Sequence, residues 1–117
     1  MGSAGVGPAR VRYALLAVTV ARVAVVVPDL LFGSRVQGGV EAAGHELVPA
    51  DGDPDLVIAD VEVVDPAGVS GPRRLGFYPH VQPELKKRAE AAGFDLVVPR
   101  SRIARELPDL VEKVLTR

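Results

Sequence analysis

Two aspartates stand where side chains usually do chemistry. Asp60 closes the apolar run Leu56-Val57-Ile58-Ala59, and Asp29 follows Val25-Val26-Val27 across Pro28. Both runs are too short for helices and read as strands. In open parallel sheets, ligands sit beyond the carboxyl ends of the strands, so each acid falls where a site would form. Together the two carboxylates could hold Mg2+ if water completed an octahedral shell. The plainer reading of Asp60 is a cap for the turn that follows it. Tyr78 and His80 follow Leu75-Gly76-Phe77, while Arg100 and Ser101 follow Leu96-Val97-Val98-Pro99. Arg100 and His80 would bring charge or a proton donor, Ser101 could cap a helix, and His80 also suits a strand-end hydrogen bond.

The elements that hold these residues follow from patterning. Asp55 to Asp60 is continuously apolar between two acids, as in a strand covered on both faces. Arg22 to Val27 is the first strand. Gly33-Ser34 offers a helix start, Val36, Val40 and Ala43 recur on one helical face, and Gly44 ends that helix. Glu46-Leu47-Val48 is a short strand, placed at an edge by Pro49. The acids of Asp51-Gly52-Asp53-Pro54-Asp55 resemble a calcium loop, but its sixth place requires glycine and holds Leu56. Residues 61–72, rich in Pro and Gly, predict a loop or one turn in place of a helix.

Leu75 to Tyr78 is the next strand. Pro83 suits the first turn of a helix, with Leu85, Ala89 and Ala92 inward and Glu84/Arg88 and Lys86/Glu90 four apart outside. Asp95 to Val98 is the last strand. A final helix capped by Ser101 would bury Ile103, Leu107, Leu110, Val111, Val114 and Leu115, with Pro108 kinking it. Right-handed connections give a five-stranded parallel sheet in the order 2-1-3-4-5, with the third helix missing or very short.

With 14 basic against 15 acidic residues and a net charge of -1, the chain does not read as a nucleic-acid binder. Cysteine is absent, which excludes disulfides and thiolate chemistry, and two histidines leave little for a His-based metal site. The apolar stretch Tyr13 to Ala21 is too short to span a membrane, although with Arg10 and Arg12 before it this stretch imitates a secretory signal. Residues 1–20 are expected to be a disordered or spurious extension and residues 21–117 the folded, cytoplasmic domain.

The chain resembles a response-regulator receiver domain through Val25-Val26-Val27-Pro28-Asp29, Asp55 to Asp60, and Ala92-Gly93-Phe94-Asp95-Leu96-Val97-Val98-Pro99. The resemblance implies a three-layer flavodoxin-like α/β fold, a phosphoacceptor at Asp60, and Mg2+ held by Asp29 and Asp60. It also shows departures. Pro28 replaces an acid, Tyr78 stands near the place of a small hydroxyl residue, and Val98-Pro99 stands where a lysine is expected, with Arg100 next. Without a fixed cation, charge developing on a transferring phosphoryl group is less well stabilised, and a guanidinium is not equivalent to an ammonium.

The expected function is a stand-alone, divergent or pseudo-receiver that regulates by protein contact, through a partner or a homodimer, with no enzymatic activity. The alternative is a flavodoxin-like domain binding a small ligand or phosphate at the helix starts beyond the strands. No G-x-G-x-x-G, phosphate-loop or G-x-S-x-G signature occurs. Beyond Mg2+, no cofactor is expected.

Overall fold

The computed structural model describes residues 12–13, 19–79 and 82–116. Five parallel strands form the sheet: β1 (Arg22–Val26), β2 (Glu46–Leu47), β3 (Leu56–Asp60), β4 (Arg74–Tyr78) and β5 (Leu96–Pro99), in the order β2-β1-β3-β4-β5. This is the predicted 2-1-3-4-5 order. Among the described residues, three α-helices accompany the sheet: α1 (Leu30–Ala42), α2 (Pro83–Ala91) and α3 (Arg100–Leu115). Between β3 and β4 there is only a 3-10 turn, Pro66–Gly68, because Asp65 caps it and Pro66 and Gly68 break any longer helix. Ahead of the sheet, Arg12–Tyr13 pairs antiparallel with Thr19–Val20.

All five residues of β3 are buried, as expected of a central strand. Its alternating side chains supply two cores. Leu56 and Ile58 pack with Phe32 and Val36 of α1 and Ile103, Leu107 and Leu110 of α3. Val57 and Ala59 pack on the other face with Ala89 of α2, Phe94 and Val69. With no α-helix between β3 and β4, Val69 and its turn share the cover of that face with α2.

Two matched clamps set the strand register. Asp55 donates its N–H to the Arg22 carbonyl at 2.8 Å and accepts the Arg22 N–H on Oδ2 at 2.8 Å. Asp95 makes the same pair of bonds with Arg74, at 2.9 and 2.8 Å. Each aspartate thus pins the first residue of the neighbouring strand from just before its own.

α1 begins at Leu30, three residues before the predicted Gly33-Ser34 start. The reason is Asp29, whose Oδ1 accepts the Phe32 N–H at 3.1 Å and caps the helix there. Gly44 ends it at φ +90°. Gly39 packs close to α3: a Cβ there would come within 2.5 Å of Leu107 Cδ2, so the Leu107 side chain would have to shift. His45, buried behind α1, accepts the Ala21 N–H on Nδ1 at 3.1 Å.

α3 begins at Arg100 with Pro99 as its cap residue and no side-chain cap bond. Ser101 therefore lies inside the first turn and is exposed, which corrects its predicted capping role. The helix kinks at Glu106 (φ −124°, ψ 22°), ahead of Pro108, as a proline inside a helix dictates. On α2, Arg88 reaches Asp65 at 3.6 Å, an exposed pair that sequence spacing did not suggest.

Candidate functional site

The carboxyl edge of the sheet gathers Asp29, Asp60 and Arg100. Asp60 ends β3, opposite Phe77 of β4, and only 5% of it is exposed. Its Oδ1 accepts the Glu62 N–H at 3.0 Å, so the side chain closes the turn that leaves the strand. Burial pushes the Asp60 carboxyl above the usual carboxylate range. The N–H groups of Glu62 and Val63 pull it back, the Glu62 carboxylate adds to the rise, and the Arg100 guanidinium opposes it. Asp60 thus combines a strand-end position with the capping role that sequence left as its alternative.

Asp29 has two tasks already. Oδ1 caps α1, and Oδ2 lies 3.7 Å from Arg100 Nη2. The Arg100 guanidinium in turn lies 4.1 Å over the ring centroid of Phe32. Phe32 meets Phe77 edge to face, with centroids 5.2 Å apart and planes at 60°. A continuous series of contacts therefore runs from Asp29 through Arg100 and Phe32 to the strand residue beside Asp60. Phe32 has the helical spacing of Val36 and Val40, which would have revealed it once the helix start was placed at Leu30. Nothing in the sequence announces its stacking on Arg100.

The other candidates separate. Tyr78 ends β4 but is buried on the opposite face from Phe77, among Val61, Ala89 and Val97. His80 lies outside the described residues, and Ser101 faces solvent on α3.

As a cation site the edge falls short. Among the described residues, no group of three or more His, Asp or Glu side chains could hold a metal ion. Pro28 offers no donor side chain, and three of the four carboxylate oxygens of Asp29 and Asp60 are engaged within the protein. Mg2+ is ordinarily held by one or two carboxylates completed by water, and Asp29, one of the two here, is already engaged by the α1 cap and by Arg100. No described helix is long and apolar enough to cross a membrane.

The parallel sheet, its 2-1-3-4-5 order and its flanking helices define a three-layer flavodoxin-like, receiver-like fold. Solved structures that share this fold include response regulators. One from Thermotoga maritima is 18% identical with a TM-score of 0.67, covering 84% of this chain and 99% of its own. One from Desulfuromonas acetoxidans is 12% identical with a TM-score of 0.66, covering 81% and 96%. The signal receiver domain of NarL from Mycobacterium tuberculosis is 20% identical with a TM-score of 0.56, covering 78% and 95%. At these identities the likeness is one of fold. No family model and no curated protein matches the chain.

Proposed function

We propose that this chain is a receiver-like regulatory domain that works through protein contacts, with Asp60 serving as a strand-end structural carboxylate. The observation that carries this reading is the Asp29–Arg100 pair. A phosphoryl-transfer site of this fold needs acids free to hold a cation and a cation free to meet the transferred group. Here Asp29 and Arg100, at the same edge of the sheet, are engaged with one another, and Arg100 is further held by Phe32. Asp60 itself is buried and has one oxygen committed to Glu62, which limits its reach as a nucleophile.

Small-ligand binding at the helix starts has less support. The α1 start is filled by its own Asp29 cap, and an anion there would face the Asp29 carboxylate. The test is treatment with acetyl phosphate and Mg2+, read by intact mass, on wild type and Asp60→Asn. No modification of either is expected. An Mg2+-dependent phosphoryl adduct on wild type that Asp60→Asn abolishes would overturn the proposal and make the chain a working receiver.

A further inference from the structure

The outward face of α1 is built unlike a solvated helix surface. Leu30 and Leu31 are each 84% exposed, and among the described residues the only other exposed large hydrophobic is Val63. Ser34, Gly38 and Ala42 continue that face, all exposed and all small. Gly38 has no reason to be glycine within the chain, because a Cβ there would meet nothing within 4 Å. It nonetheless costs the helix about 1 kcal/mol relative to alanine. Its neighbour Gly39 differs, because a Cβ there would meet Leu107.

We propose that this face packs against the same face of a second copy of the chain, the two α1 helices running antiparallel about a two-fold axis at Gly38. The inference rests on the contact-based function proposed above and names its partner. Charge selects the occupant and the orientation. Arg35 precedes Gly38 by three residues and Glu41 follows it by three; both are exposed, and neither has a side-chain partner among the described residues. In an antiparallel two-fold pair, the Arg35 of each copy comes level with the Glu41 of the other. A parallel pair would set Arg35 against Arg35. Ser34 and Ala42, four residues either side, also come level, so nothing bulky separates the helices where they cross. Leu31 of each copy then extends beyond the partner's Ala42, toward the turn at Gly44. The contact is isologous and closes after two copies. One helix pair lies at the small end of specific interfaces, so the dimer depends on concentration.

Sedimentation velocity on the full chain over a concentration series reads this directly. The mean mass is expected to rise from one chain toward two. Gly38→Gln places its side chain in open space within the monomer, so the fold survives with improved helix propensity, while the side chain holds the copies apart. Dimerisation should weaken at least about tenfold, equivalent to about 1.4 kcal/mol. Arg35→Glu or Glu41→Arg alone should weaken it, and the double reversal should restore it. A monomer at every concentration, or a dimer indifferent to Gly38→Gln and to the charge series, would overturn the inference. The phosphorylation test is independent of this one. A monomer leaves contact-based regulation standing with a different partner, whereas an adduct on Asp60 removes that reading without touching the dimer.

Discussion

Asp29 and Arg100 meet across the carboxyl edge of the sheet, Oδ2 to Nη2 at 3.7 Å, and tie the cap of α1 to the first residue of α3. The two helices lie on the same face and share the larger core, so the pair joins elements already packed together.

Arg100→Ala should destabilise the fold by about 1–2 kcal/mol. The ion pair is partly exposed and worth at most about 1 kcal/mol, and the stack on Phe32 adds about 0.5–1 kcal/mol. Arg100→Lys keeps the charge but loses the planar face, so it should fall between the two. Urea unfolding at low and high salt separates the parts, because salt screens the ion pair and spares the stack. A lysine variant as stable as wild type would show that the stack contributes nothing.

The clamps at Asp55 and Asp95 should behave as independent units. Each links one pair of strands, Asp55 joining β3 to β1 and Asp95 joining β5 to β4. Replacing either by alanine leaves a strand-starting N–H without its acceptor, at about 1–3 kcal/mol. The clamps share no partners, so the double variant should cost the sum within about 0.5 kcal/mol. Chemical denaturation of the two singles and the double checks this. A marked departure from additivity would mean that the sheet responds to one clamp through the other.

His45 gives the fold a dependence on mild acid. Its Nδ1 must stay unprotonated to accept the Ala21 N–H, and burial lowers its pKa while Glu112 opposes that shift. A group whose pKa is depressed on folding contributes stability that is complete above its unfolded pKa, about 6.5 for histidine, and that is lost as pH falls toward the folded value. Thermal unfolding midpoints should therefore drop below about pH 6.5 in wild type. His45→Ala should lose that part of the slope and be less stable at pH 7 by about 1–3 kcal/mol. A variant that kept the wild-type slope would place the titrating group elsewhere.

Most of the fold was legible because burial alone fixes it. Five short apolar runs, each with a turn signal, admit few arrangements, and the Pro and Gly content of residues 61–72 removes the helix between β3 and β4. The misplacements share one physical source, which is that short polar side chains choose among several backbone partners. Asp29 reads as a site residue but also caps α1, which moves the helix start from Gly33 to Leu30. Ser101 reads as a cap, which would start α3 at Arg102, but the helix begins two residues earlier, at Arg100. The clamps did leave a sequence trace, since Asp55-Leu56-Val57 and Asp95-Leu96-Val97 are the same tripeptide at the same place before a strand. The Arg100–Phe32–Phe77 contacts left none, because they join positions distant in sequence through geometry that only the folded chain creates.

Asp60→Asn should make the protein more stable at pH 7. Burial is the largest influence on this carboxyl and disfavours its charged form, raising its pKa. Asparagine keeps an oxygen for the Glu62 N–H and carries no charge to bury. The folded state holds its proton more tightly than the unfolded chain, so the cost of ionised Asp60 is complete above the raised pKa. That cost fades as pH falls through the raised value toward the unfolded one, about 3.9. The advantage of the variant should therefore be largest near neutrality and shrink through that window, as read from urea midpoints across a pH series. If the variant is instead less stable at pH 7, then the N–H groups of Glu62 and Val63, together with Arg100, outweigh burial. Asp60 would then be held as a favourable anion at the carboxyl edge, the state a phosphoacceptor requires.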